Sequence, residues 1–553
     1  MTRPQREVLG VILLLGIVVR LGPFLAAPAM YLDEAMLALN LATRDWGGLT
    51  HPLIFEQSAP VLYLWLSRLV VVIAGVTEHT LRLLPLLAGI LLPAAVWYFS
   101  RRLLSANAAL LATAFAALSP LVVWYSNVVK PYTLDALVAT LLLLGALKAK
   151  DSTQDRPWAV LAVAGLIAPF LSAPSVFILA GVLLALLPGR EAWKQPRVWR
   201  YLAVIGGVSV GAGANYLIFQ RGMNEVSYLT RFWDRAFLGP PDSSMLARLS
   251  SPVSGFTQLF FYRRGVDFPA LILLGTLALA GIGLFSLHRA YGWRWTALCV
   301  TPVLAVALAS LFRIYPLTER LLLFLAPLVA VIAAAGVEYL VTKLPPHRRA
   351  LGLAIVGCAG LFVALRTDIR NVLRPHSDGA EVRPMLTQYD TSRSPGDPVY
   401  LYARGVPIWA YYTTDWSHPD QTRLNSLLSL AQKIGPNSGN NPSRRRPVEH
   451  EGFDLVVPAG DHDELVGTPS GVEILYARAD RRAPDPGWAD NEVARMRAAG
   501  GRQIWVVLTH YSTEVEADLE AAIRRAGGTI AEDWREWAAR LWQVHFSAPN
   551  QPF

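Results

Sequence analysis

Two adjacent carboxylates, Asp33 and Glu34, follow the first apolar run of this 553-residue chain, in the sequence Tyr31-Leu32-Asp33-Glu34. A charge at a membrane boundary is costly when isolated, so a carboxylate there needs a partner or a purpose. The pair equally suits the acidic first turn of a helix, where it meets the positive end of the helix dipole. Both readings stand on these residues alone. Other chemistry-bearing groups sit in short motifs: Glu56 and Gln57 within Phe55-Glu56-Gln57-Ser58-Ala59-Pro60-Val61-Leu62-Tyr63, Arg82 in Arg82-Leu83-Leu84-Pro85, Lys130 and Tyr132 in Val129-Lys130-Pro131-Tyr132, and Arg320 in Tyr315-Pro316-Leu317-Thr318-Glu319-Arg320. A carboxylate ionised near neutral pH can take a proton from a hydroxyl or amine within hydrogen-bond reach. A guanidinium matches phosphate oxygens with its forked donors.

The elements that must carry these motifs belong to a membrane protein. The chain is 53% apolar and 16% charged, against roughly 45–50% and 25% in soluble domains. Leu-, Ala- and Val-rich runs fill the first two thirds and almost vanish after about residue 367, which divides the chain into 1–366 and 367–553. Crossing a hydrocarbon core of about 30 Å takes close to 20 apolar residues. Spans are expected near 8–28, 82–103, 106–124, 132–148, 157–172, 174–188, 199–219, 268–287, 295–312, 320–341 and 350–366, about eleven in all. The clusters Arg101-Arg102, Lys148 to Arg156, Arg190 to Arg200, Arg289 to Arg294 and Lys343 to Arg349 fall on alternate loops and so belong to the cytoplasm. The loops around 29–81, 119–131, 172–174, 220–267 and 313–319 then face outward, the N-terminus is cytoplasmic, and residues 367–553 lie outside. Residues 61–76 are apolar, but crossing there would put the later basic clusters on the wrong side. They are expected as a helix in the interface or partly re-entrant. Arg3 and Arg6 before the first apolar run resemble a signal peptide's start, yet the many later spans favour an uncleaved first helix.

The net charge of +9 is spread over these loop clusters, which reads as topology and not as a nucleic-acid surface. Cys299 and Cys358 both lie in apolar runs, as buried small hydrophobes without a disulfide framework or metal spacing.

The order of the motifs, an Asp-Glu pair after the first helix, a Glu-x-x-x-Pro-x-x-Tyr element, an Arg-Leu-x-Pro helix start and a late Tyr-Pro-x-x-x-Arg, resembles the GT-C class of membrane glycosyltransferases. More narrowly it resembles the branch of protein O-mannosyltransferases and the lipid A aminoarabinose transferase. The resemblance covers about residues 1–366, and weakly the outer domain. It implies a polytopic α-helical GT-C domain with a C-terminal extracytoplasmic domain, moving a monosaccharide from a polyprenyl-phosphate sugar to an outer glycan, lipid or protein by inverting displacement. By the same resemblance, Asp33 is the general base, and Glu34 is either its helper for acceptor or metal or a structural neighbour. Glu56 falls at an acidic position near donor or metal, and Arg320 is the leading candidate for the lipid phosphate, with snorkelling at the interface as its plainer role. Two departures stand out. Gln57 occupies a position where the aminoarabinose branch has Lys, and Tyr132 falls where relatives often have an acidic residue, with Asp135 three residues later. Lys130 would then supply charge to the leaving phosphate or be a surface lysine, and Arg82 would at least orient the loop against Asp33 or Glu34. A divalent metal on Asp33 and Glu56 is left with an incomplete shell, because hard cations take several oxygen ligands.

After residue 367, apolar runs at 398–402, 453–457 and 503–508 and a helical pattern at 514–526 predict a small α/β domain, interrupted by a polar loop over 424–448 with Arg444-Arg445-Arg446. Glu381 and Arg383 are placed to form a lid over the catalytic face. No dinucleotide or Walker fingerprint is present. The competing functions are a transporter or flippase of lipid-linked sugars, which would favour internal repeats and broken midplane helices, and a non-catalytic scaffold.

Overall fold

The structure is a computed structural model. It describes residues 1–195, 198–221, 233, 236–238, 270–345, 347–349, 351–354, 368–369, 372–373, 381–394, 397–402, 405–419, 466–467, 473–476, 487–500, 502–509, 511–536 and 539–547. The N-terminal two thirds are helical: α1 (Arg3–Ala26), α2 (Leu32–Thr43), α3 (Val61–Ala74), α4 (Glu78–Ser100), α5 (Ala106–Leu118), α6 (Pro120–Tyr125), α7 (Tyr132–Asp151), α8 (Arg156–Leu171), α9 (Ser175–Leu186), α10 (Val198–Asn215), α11 (Ala270–Tyr291), α12 (Trp293–Leu311) and α13 (Ala326–Val341).

Among the described residues, six helical stretches are long and apolar enough to cross a membrane: α1, α4, α7, α12, α10 continued through a π-helical turn to Gln220, and α13 preceded by a 3-10 turn from Leu323. The chain is a multi-pass membrane protein. Four expected spans differ in form. Residues 157–172 and 174–188 do fold as helices, but α8 has 16 residues and α9 has 12, which at 1.5 Å per residue makes about 24 Å at most, short of a hydrocarbon core of about 30 Å. The span expected over 106–124 is broken at Ser119-Pro120 into α5 and α6. The expected 320–341 span begins its α-helix only at Ala326, which leaves Arg320 in a turn. Most of the last expected span, 350–366, and most of the 220–267 loop lie outside the described residues. Helix α3 has 14 residues and packs on α2 and α4. Arg68 of α3 donates to the Leu41 and Ala42 carbonyls at 2.7 and 3.0 Å, satisfying the orphan C-terminal carbonyls of α2.

The break at Ser119-Pro120 has a partner that the sequence reading missed. Proline has no N–H, so the carbonyl four residues earlier loses its helical donor. Arg20, fully buried in α1, supplies it: its guanidinium donates to the Ala116 and Ala117 carbonyls at 3.3 and 2.6 Å and to the Ser126 hydroxyl at 3.1 Å. Gly89 of α4 makes room, since a Cβ there would come within 2.1 Å of the Ser126 oxygen and 3.1 Å of Arg20 Nε. A buried arginine in an apolar run is thus the tie that fixes α1 against the broken helix ahead of α7.

The C-terminal third forms an α/β region with α14 (Arg383–Ser392), α15 (Val406–Tyr412), α16 (Trp488–Gly500) and α17 (Thr513–Arg525). Its strands are β1 (Val399–Leu401), β2 (Val466–Gly467), β3 (Glu473–Tyr476), β4 (Gln503–Thr509), β5 (Gly528–Glu536) and β6 (Ala539–Phe546). They make one sheet in the order β2-β3-β1-β4-β6-β5, with β1 parallel to both β3 and β4 and the β4-β6-β5 edge antiparallel. Helix α17 buries Val515, Leu519, Ala522 and Ile523, an i, i+4, i+7, i+8 stripe, after a Ser512 cap. The strands expected at 398–402 and 503–508 and the helix at 514–526 are present. The strand at 453–457 and the 424–448 loop lie outside the described residues. Strands β5 and β6 were not anticipated: β5 is largely exposed and polar, so it carries no apolar alternation to read. Helix α15 leaves the carboxyl end of β1 almost at once and packs on α2, which brings that edge of the sheet to the residues around Asp33.

Candidate active site

Glu34 is 1% exposed and Arg82 2%, and they meet through two parallel hydrogen bonds of 3.0 Å, from Nε to Oε1 and from Nη2 to Oε2. The carboxylate also accepts from the Val129 amide at 2.9 Å and the Tyr31 amide at 3.1 Å, and the remaining Arg82 fork donates to the Pro28 carbonyl at 2.8 Å. Such a pair is tolerable in a buried setting because its geometry is good and its lone pairs are satisfied. It ties α2 to α4 and to the loop before α7. Glu34 thereby sits in a structural lock with no face open to an acceptor.

Asp33, one residue earlier, points elsewhere. Its side chain is 25% exposed and accepts from Arg320 Nη1 at 2.9 Å, joining positions 287 residues apart in sequence. The Arg320 guanidinium also lies 4.7 Å over the Trp233 ring. Burial works against its charge, but Tyr132 and Asp33 outweigh that and hold its pKa above the ordinary value. Tyr132 opens α7 and stands edge-on to Tyr125 with ring centroids 5.0 Å apart.

Lys130, 7% exposed, donates to Gln57 Oε1 at 2.6 Å. Gln57 is held in turn by contacts to the Phe55 carbonyl and Met36 sulfur. The neighbouring Phe55 and Glu56 both have left-handed backbone, at φ 59° and 52°, a conformation uncommon outside glycine that persists where the surroundings enforce it. Asn40 of α2 anchors the residue just before them. Fully buried, its amide accepts from Ile54 N at 2.8 Å and donates to Ile54 O at 3.1 Å and Met36 O at 2.8 Å. Nothing in the sequence reading singled out Asn40; a lone buried amide at a helix interior carries no motif.

The sequence candidates therefore fall into two groups. Asp33, Arg320 and Tyr132 share one electrostatic cluster, with Lys130 acting on it and linked to Gln57 and the Glu56 turn; Glu34 and Arg82 form the support beneath. Glu381 and Arg383, expected as a lid, instead hydrogen-bond to each other at 2.6 and 2.7 Å beside the Ala29 amide. Asp135 is buried within α7. Among the described residues no group of three or more His, Cys, Asp or Glu side chains is placed to hold a metal ion. The engagement of Glu34 by Arg82 and two amides further depletes the oxygens available to a hard cation, which takes six to eight in the case of calcium.

Burial pushes the Lys130 ammonium down to about 8, with Asp33 and Glu34 favouring the charge and Arg320 opposing it. Its positive charge is present at lower pH and lost as pH rises through that value. If Lys130 holds an anionic headgroup, KM for the anionic substrate climbs above pH about 8 while kcat changes little. Lys130→Arg removes that limb, and Lys130→Met holds KM at the raised value whatever the pH. A KM flat with pH in the wild type would sink this role.

Comparison with known proteins fits this architecture. Residues 58–214 match the family model described as dolichyl-phosphate-mannose-protein mannosyltransferase. None of the curated proteins matches the chain significantly. Among solved structures, the chain is similar to ArnT from Cupriavidus metallidurans bound to undecaprenyl phosphate, at 14% identity and TM-score 0.53, covering 97% of each chain. It also aligns with the archaeal oligosaccharyltransferase AglB from Archaeoglobus fulgidus in complex with an inhibitory peptide and a dolichol-phosphate, at 12% identity and TM-score 0.48, over 98% of this chain and 74% of that one. The chain is thus a multi-pass membrane protein with the GT-C fold, and its residues 58–214 carry the mannosyltransferase family match.

Proposed function

We propose that this chain is a glycosyltransferase that moves a monosaccharide from a polyprenyl-phosphate sugar to an acceptor on the extracytoplasmic side of the membrane. The observation that carries this reading is the Asp33–Arg320 contact: a proton acceptor and a phosphate-binding cation from opposite ends of the helical region, side by side and partly open. The basic loop clusters favour this face outside and the N-terminus in the cytoplasm, with the C-terminal α/β region on the outer side. The family match at 58–214 and the ArnT-like fold support the same class.

In the reaction, the lipid phosphate draws Arg320 to itself with forked hydrogen bonds, and Lys130 adds a second positive charge. Phosphate engagement frees the Asp33 carboxylate for the acceptor hydroxyl or amine. The acceptor atom attacks the anomeric carbon from the face opposite the phosphate. The carbon–oxygen bond to phosphate breaks, its electron pair leaves with the phosphate, and the acceptor proton passes to Asp33. Fixed charges are effective here because they require no reorganisation as charge separates. One displacement inverts the anomeric centre. Glu56 and Gln57, on their enforced turn, border the donor side, and Glu34 and Arg82 hold the carboxylate helix in place.

The test is transfer from a panel of radiolabelled polyprenyl-phosphate sugars by the full chain in reconstituted membranes. Transfer of one sugar establishes the class and names the donor. Movement of labelled lipid between leaflets without transfer would replace this reading with a flippase.

A further inference from the structure

The short segment between α1 and α2 has no regular structure, yet each of its backbone N–H groups is held. Ala27, at φ 41°, ends α1 by donating its amide to the Pro23 and Phe24 carbonyls. The Pro28 carbonyl accepts from Arg82, and the Tyr31 amide donates to Glu34. The two amides between them, Ala29 and Met30, are held by residues from far along the chain. Ala29 N–H donates to Glu381 Oε2 at 3.2 Å and Met30 N–H to the Tyr412 hydroxyl oxygen at 2.8 Å.

Both acceptors are fixed in turn. The Tyr412 hydroxyl donates to Glu78 Oε1 at 3.0 Å, at the first residue of α4, and Arg383 joins Glu381 to Glu78 with contacts of 2.6 and 3.8 Å. Tyr412 ends α15, the helix that leaves the carboxyl end of β1 and packs on α2. Ala29 and Met30 are 3% and 0% exposed, so water does not replace a lost partner.

We infer that the C-terminal α/β region sets the place of the Asp33 carboxylate by gripping the Ala29 and Met30 amides through Glu381 and Tyr412, with Tyr412 as a positioning residue for the transfer step. This rests on the transferase reading for its kinetic consequence, whereas the grip itself does not. None of these side chains touches Arg320, Lys130 or Gln57 among the contacts described, so loss of the grip displaces the carboxylate and spares the phosphate site.

The experiment uses the full chain in nanodiscs and compares wild type, Tyr412→Phe, which keeps the ring, and Glu381→Leu, which removes the Ala29 acceptor, as a second variant should the first fail to fold. Amide hydrogen exchange over residues 27–34 and steady-state transfer are both measured. A buried hydrogen bond lost without replacement corresponds to about tenfold or more, so exchange over 27–34 rises and kcat falls by about that factor in each variant, while KM for the lipid donor stays within about twofold. Unchanged exchange overturns the inference. So does raised exchange with unchanged kcat, or a loss carried by donor KM. If the wild type transfers no sugar at all, the transferase reading falls instead, and exchange alone judges the grip.

Discussion

Asp33→Asn protein, folded and inserted normally, is expected to transfer sugar some 10²- to 10⁴-fold more slowly than the wild type, the span that general-base groups contribute. The amide has the same shape, and its oxygen still accepts from Arg320, so the 2.9 Å contact is retained and the donor site is little disturbed. What it loses is the capacity to take the acceptor proton. The loss therefore falls on kcat, with donor KM near its wild-type value, and initial rates over a range of donor concentrations separate the two. A variant that keeps a rate within a few-fold of wild type would remove Asp33 from the chemistry and leave it as a counter-ion for Arg320.

The second large effect is on stability. Arg82→Leu leaves the Glu34 carboxylate, 1% exposed, with two amide donors and no counter-charge. Removing one partner of a buried pair costs roughly 3–5 kcal/mol, because the other charge remains in a medium that solvates it poorly. Thermal denaturation in detergent should show a large drop for Arg82→Leu, and Glu34→Gln should follow in the same direction. The two carboxylates are then distinguished by what fails. Asp33→Asn loses rate with its stability unchanged, while Glu34→Gln loses stability first. Melting curves for Glu34→Gln that overlay the wild type, with transfer abolished, would reverse the assignment and make Glu34 the reacting group.

That distinction was open in the sequence. Asp33 and Glu34 are adjacent, both acidic and both in the first turn of α2, and at 100° per residue on a helix they necessarily point to different surroundings. Which one met a fully buried arginine and which a partly exposed one depended on where α4 and the turn before α13 came to lie. The placing of Glu381 and Arg383 was open for the same reason: their charges were visible, but Glu381 accepts from the Ala29 amide some 350 residues away and Arg383 joins it to Glu78. Tyr412 had no motif at all.

The membrane class, the run of apolar helices, the change to an α/β region, and the residue types available for proton transfer and phosphate binding are all legible in the chain. These follow from composition, local periodicity and motif order, which act over one or two turns of chain. The tertiary structure alone decided that Arg320 faces Asp33, that Arg82 is consumed by Glu34, that Lys130 rests on Gln57, and that Arg20 repairs the carbonyls exposed by Pro120. Each of these joins elements dozens to hundreds of residues apart. A charge buried away from water must find its partner in space, and the spacing of residues along the chain does not carry that information.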